Sequence, residues 1–298
     1  MEKTMSLKFN VPILKIDKLS ASFDKPIEKN DNIKLFNGIY EGLGPVSVVI
    51  LYNIERQIEA FYKISNQINI FSNLNSYYLA KLFGIIVEKE KFCLIFERIS
   101  CSLATKLEKK TINDKEKFSS LIDIMELLLS LHENKLSIYD LRPSNIFYSE
   151  QTGDVRLLYP LENIHLFRDE IEEEEEIIEK MLNPDDILLR FTPPELLSET
   201  PAYYSGNDVW MLGCLLIEIF SKYKVWDGYT ENEIIKQLKN LTSPKVPNDI
   251  PQSLWGLICE CLNPFHKARV DIKDTLVRFY YLCSKLGLSD LTTRISSK

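Results

Sequence analysis

Histidine is scarce: His132, His165 and His266 are the only three in 298 residues, and none has a second His or Cys at helical spacing. Six cysteines are present (Cys93, Cys101, Cys214, Cys259, Cys261 and Cys283), but no CxxC pair occurs among them. A zinc site and a disulfide frame are therefore both disfavoured, and reduced thiols in apolar stretches are expected. A basic excess is also missing, because 36 Lys and Arg stand against 43 Asp and Glu for a net charge of −7. Neither nucleic acid nor an anionic membrane is an expected partner of such a chain. Long apolar runs are lacking as well. The opening stretch MEKTMSLKFNVPILKIDKL breaks its apolar segments with charges, so it offers neither a secretory core nor a spanning helix, and the cytoplasm is the expected compartment. What the chain does have is 45% apolar residues, enough for a sizeable core in one domain or a two-lobed one.

Glycine and proline divide the first third. Gly38, Gly42, Gly44 and Pro45 punctuate β-type runs (IKLFNGIY, PVSVVILY, FGIIVEKE, KFCLIFERI), which predicts a small antiparallel sheet. Residues 54 to 72 carry apolar positions at three-to-four spacing and predict one helix inserted among the strands. Beyond about residue 102 the segments KFSSLIDIMELLLSLHEN, DVWMLGCLLIEIFSKY, ENEIIKQLKNL, PQSLWGLICECL and IKDTLVRFYYLCSKLG all read as helices. The expected class is α+β, with a short extension at 1–16, a β-rich lobe at 17–99, a helical lobe at 100–288 and a tail at 289–298. One biased segment stands out, the acidic DEIEEEEE of residues 169–176.

Several motifs, in order and spacing from residue 35 to residue 272, resemble those of the protein kinases. IYDLRPSNIF resembles the catalytic loop HRDLKPxNI, with Asp140 at the base position and Asn145 at the second-magnesium position, while Ile138 and Tyr139 replace the His and Arg. TPPELL resembles the segment ending in APE and puts Glu195 at its acidic residue. DVWMLG and CLNPFHKAR supply Asp208 and Arg269. The resemblance implies a two-lobed kinase fold, a buried Glu195–Arg269 ion pair, and Asp208 holding the catalytic-loop backbone from below.

The positions that handle phosphate depart from that pattern. Aligning PVSVVIL with the VAIK strand places Val49 at the lysine, and the helix glutamate that should hold it is Gln67. VRLLYPLEN puts Tyr159 at the DFG aspartate, and a neutral phenol is a poor magnesium ligand. Residues 22–37 contain no Gly, so a glycine-rich phosphate loop is unmade. Phosphoryl transfer depends on the lysine, the glutamate and the metal-holding aspartate together. The expectation is thus a pseudokinase: no enzyme, no cofactor and no metal, with nothing beyond weak nucleotide binding. Residual transfer by an atypical active kinase is the alternative that Asp140 and Asn145 keep open.

KLSAS, then LFNGIYEGLGPVSV, and LICECLNPFHKARVDIKDTL near the C-terminus resemble the pseudokinase domain of the mixed lineage kinase domain-like family, the effectors of necroptosis. That family carries its killing activity in an N-terminal four-helix bundle, and about sixteen residues precede the similarity here. It is switched by activation-loop phosphorylation, yet residues 159–191 hold no Ser or Thr. The acidic residues Glu172, Glu173, Glu174, Glu175 and Glu176 lie in that loop, as a solvated stretch or as permanent charge imitating a phosphorylated one. The resemblance to poxviral decoys implies a binder of a host receptor-interacting serine/threonine kinase that inhibits necroptosis by sequestration. An allosteric scaffold for another kinase is the alternative. Tyr203 and Tyr204 are candidate partner contacts.

Overall fold

A computed structural model describes residues 10–29, 33–51, 58–74, 76–88, 91–138, 140–158, 165–166, 187–198 and 205–293. The chain divides into two compact units, one formed by 1–108 with 146–162 and the other by 109–145 with 163–298.

The first unit is built on a sheet of β1 (Leu19–Ala21), β2 (Glu28–Lys29), β3 (Ile33–Tyr40), β4 (Gly44–Leu51), β5 (Leu82–Glu88) and β6 (Lys91–Glu97). Its order is β1-β3-β4-β6-β5, with β2 also pairing β3, and these strand pairs are antiparallel. Strand pleating puts Val46, Val48 and Ile50 of β4 on one face, where they join Phe36, Tyr40, Ile86, Cys93 and Ile95 in one buried cluster. The opposite face of β4 is buried too, with Ser47 at 0% and Val49 at 2% exposure. This explains why the central strand reads as a continuous apolar run instead of an alternation. Helix α1 (Ile58–Asn73) follows β4 and overlaps the helix expected over 54–72, ending one residue beyond it.

Three short strands complete this unit: β7 (Ile99–Ser102), β9 (Ile146–Ser149) and β10 (Val155–Leu157), in the order β10-β9-β7. The sequence reading placed no strand after residue 102. All seven residues of β9 and β10 are buried, so no polar alternation marks them. Helix α2 (Leu103–Glu108) leaves β7 directly.

The second unit is helical. Helix α3 (Asp114–Glu133) starts at a capping box in which Asn113 accepts from the Glu116 N–H and Glu116 accepts from the Asn113 N–H. The short pair β8 (Leu136–Ser137) and β11 (His165–Leu166) follows. Helix α4 (Gly206–Phe220) is buried on every side from Asn207 to Ile219, which fits its near-uniform apolar sequence. Helices α5 (Glu231–Lys239), α6 (Gln252–Cys261), α7 (Ile272–Lys285) and α8 (Ser289–Thr293) complete the unit. Phe118 of α3 stacks on Phe279 of α7 with centroids 5.6 Å apart. Among the described residues, no helix is long and apolar enough to cross a membrane.

Helices α4 and α6 meet at Gly213. A Cβ there would stand 2.8 Å from Leu262 Cγ and 2.9 Å from Cys261 Cβ. Gly213→Ala gains about 1 kcal/mol of helix propensity, but overpacking costs about 1–3 kcal/mol. Steric crowding against a side chain of the next helix wins, and a net loss of about 1 kcal/mol is expected in urea denaturation.

None of the six cysteines is in a disulfide. Cys93, Cys214, Cys261 and Cys283 are buried, Cys101 is half-buried and Cys259 is exposed, so most of these reduced thiols lie in the apolar interior as expected. Burial pushes the Cys261 thiol up to about 12 and the Cys283 thiol to about 11, so both stay protonated and inert at neutral pH.

Candidate functional site

In the helical unit the loop after β8 is held from α4. Asp208, 0% exposed, accepts the Ile138 N–H on its two carboxylate oxygens at 3.0 and 3.2 Å. His132 Nε2 of α3 lies 3.0 Å from the same carboxylate. A carboxylate with no water around it is tolerable only when its lone pairs are used, and these contacts use them. They fix where the chain turns into the next residues.

Asp140 comes two residues later and is 4% exposed. Arg142 grips it with Nε to Oδ1 at 2.5 Å and Nη2 to Oδ2 at 2.8 Å, a forked ion pair across one intervening residue. Pro143–Asn145 then forms a 3-10 turn, in which the Asn145 N–H donates to Arg142 O at 3.0 Å. Asn145 Nδ2 donates to the Asp140 carbonyl at 3.3 Å. The loop is thus closed on itself by Asp140, Arg142 and Asn145. Sequence reading named the first and third but missed Arg142. Its signal was available, since a cation two residues from an acid in a tight turn can reach back to it.

A second arrangement centres on Glu195, in the 3-10 turn Pro194–Leu197. Arg269 donates Nη1 to Oε1 at 2.6 Å and Nη2 to Oε2 at 2.9 Å, and Asn207 Nδ2 adds a bond to Oε1 at 2.8 Å. Arg269 also donates to the carbonyls of Gly206 and Asn263 and lies 5.1 Å from the Trp210 ring centroid. One guanidinium therefore ties this turn to α4 and to the loop before α7.

In the β-rich unit Val49 sits on β4 between Leu35 of β3 and Leu94 of β6, without a charge. Gln67 is half-buried on α1, and Phe96 is fully buried at the end of β6. A charge network unforeseen in the sequence surrounds the chain just after Phe96. Arg156 of β10 donates to Glu97 Oε1 at 3.0 Å and lies over the Tyr77 ring at 4.4 Å. Burial opposes its charge, but the Tyr77 hydrogen bond and the Glu97 carboxylate outweigh burial and raise its pKa. Arg98 donates to Glu150 at 2.8 Å and to the Val46 carbonyl at 2.9 Å.

Tyr159, Glu172, Glu173, Glu174, Glu175, Glu176, Tyr203 and Tyr204 lie outside the described residues. Among the described residues, no group of three His, Cys, Asp or Glu side chains could hold a metal ion. Val49 likewise gives a triphosphate no cation.

The order of these features is the order of a known family. Residues 48–281 match the protein kinase domain family. The chain belongs to the protein kinase family. Its α+β fold, with a β-sheet lobe and a helical lobe, is the kinase fold. Among curated proteins, the CTD kinase subunit alpha of Saccharomyces cerevisiae is 30% identical over 178 residues, covering 56% of this chain and 30% of that protein. The calcium-dependent protein kinase 5 of Plasmodium falciparum is 23% identical over 232 residues, 76% of this chain and 38% of that protein. The cyclin-dependent kinase 7 of Dictyostelium discoideum is 27% identical over 199 residues, 65% of this chain and 50% of that protein. The kinase domain thus spans half or less of the length of these relatives.

These matches correct the expectation that the chain is no enzyme, because the proteins it resembles are named as kinases. That expectation rested on Val49, Gln67 and Tyr159, the last of which lies outside the described residues, and gave little weight to a retained Asp140 loop.

Proposed function

We propose that this kinase domain acts by holding another protein kinase. The partner is a receptor-interacting serine/threonine kinase of the necroptosis pathway, bound in the cytoplasm in the manner of a viral decoy. Capture keeps that kinase from phosphorylating its cellular effector and so inhibits necroptosis. The observation behind this reading is what the fold keeps and what it replaces. Its frame contacts are made at Glu195–Arg269 and Asp208–Ile138, whereas the sequence resemblance aligns Val49 with the strand position from which the family grips phosphate. A fold maintained in this way remains a recognition surface, and recognition needs no phosphate cation. The reading does not depend on whether the domain also transfers phosphate.

A second reading, phosphoryl transfer by the domain itself, is favoured by the ordered Asp140–Asn145 loop and by the kinase names of its relatives. Coprecipitation of the purified chain with a panel of receptor-interacting kinases tests the first. One panel member is expected to be retained, and its phosphorylation of its effector is expected to fall in proportion to added chain. Capture of none, or effector phosphorylation unchanged at tenfold excess of chain, rejects it.

A further inference from the structure

The free edge of the β-rich sheet is β5, and the chain ahead of β1 runs along it. Ile13 pairs with Ile85 in a parallel bridge. The Leu14 N–H donates to Ile85 O at 2.7 Å, and the Ile85 N–H donates to Pro12 O at 2.9 Å. Ile85 is paired on its other side with Leu94 of β6, so the segment adds a short extra rung to the sheet.

The seat for this segment is shaped by one missing side chain. A Cβ on Gly84 would lie 2.5 Å from Pro12 O and 2.8 Å from Leu14 Cγ, closer than a backbone carbonyl can tolerate. Leu14 packs against the buried sheet cluster, while Ile13 on the outer side is 69% exposed. The Lys15 N–H donates to Tyr40 Oη at 3.1 Å and pins the far end.

At its near end the segment reaches α1: the Asn10 N–H donates to Asn69 Oδ1 at 2.8 Å. Asn69 lies two residues beyond Gln67 on that helix. One six-residue stretch therefore touches the sheet edge, the sheet core and α1. Its two ladder bonds belong to the backbone, so a competing extended peptide can make the same bonds.

The geometry points to residues 10–15 as a strap whose seating on β5 sets the hold on α1, so that lifting the strap loosens the helix. This is a conformational device independent of which partner or substrate the domain takes. Its parts are the Gly84 slot, the Ile85 rung and the Asn69 tether.

Hydrogen exchange on the full chain tests it, with the β4 amides of Val46 and Val48 as the folding control. Gly84→Val is expected to raise exchange at Leu14 and Ile85 at least tenfold and at α1 in parallel, with β4 unchanged. Asn69→Ala is expected to raise exchange in α1 while leaving Ile85 protected. Gly84→Val that frees Leu14 and Ile85 but leaves α1 protected overturns the coupling, and Gly84→Val with both amides still protected overturns the slot. If Gly84→Val also exposes β4, Asn69→Ala decides alone, and an unchanged α1 rejects the strap.

Discussion

Arg269→Ala is expected to destabilise the helical unit by about 3–5 kcal/mol, because it leaves the Glu195 carboxylate ionised and buried without its cation. Asn207 gives the carboxylate one further hydrogen bond but no charge, and Glu195 is 6% exposed. The guanidinium also satisfies the carbonyls of Gly206 and Asn263, so its loss strands acceptors at two further points. At about 2–4 °C per kcal/mol for a domain of this size, the melting temperature falls by on the order of 10 °C. Arg269→Lys rescues little, since an ammonium cannot make two parallel bonds to the carboxylate and reach the two carbonyls as well. Glu195→Gln combined with Arg269→Met is expected to be less damaging than Arg269→Ala alone, because neither partner then carries an unpaired charge. Thermal and urea unfolding of the variants measure this. A loss below 1 kcal/mol for Arg269→Ala would mean that the pair is ornamental to the fold.

The two kinds of position differ in how plainly the sequence shows them. Glu195, Asp208 and Arg269 were named because the family surrounds each with a recognisable string, and the structure brings Glu195 to Arg269 and Asp208 to Ile138. The sheet was equally plain where strands were bounded by Gly38, Gly42 and Gly44. By contrast β9 and β10 are buried on both faces and carry no period, so nothing in IFYS or VRL separates strand from apolar helix. The Arg156–Glu97 pair and the His132–Asp208 contact are hidden from the sequence for another reason. They join residues 59 and 76 apart in the chain, and such pairings exist only once the fold does. Substitutions at Val49 and Gln67 are plain in the sequence, whereas the intact Asp140–Asn145 spacing that the kinase relatives share is the stronger signal for the enzyme class.

Asp140→Asn is expected to lower any label transferred by the domain to a protein substrate by about 10²–10⁴-fold, the usual contribution of a positioned general base. The Asn145 bond to the Asp140 carbonyl holds the backbone there whatever the side chain's charge, although Asp140→Asn gives up the charged fork to Arg142. The substitution therefore keeps that backbone tie while removing the proton acceptor. Both carboxylate oxygens are engaged by Arg142, so a substrate hydroxyl can reach Asp140 only when the fork opens or shares an oxygen. Arg142→Met is accordingly expected to raise the base's availability, and transfer should rise or hold, whereas Asp140→Asn abolishes it. Radiolabel incorporation under matched protein concentrations distinguishes these outcomes. If Asp140→Asn transfers label as well as the unaltered chain, Asp140 is not the base, and the retained loop serves the fold alone. If Arg142→Met and Asp140→Asn lose transfer equally, the guanidinium is itself needed for transfer, a cation that Val49 cannot provide from β4.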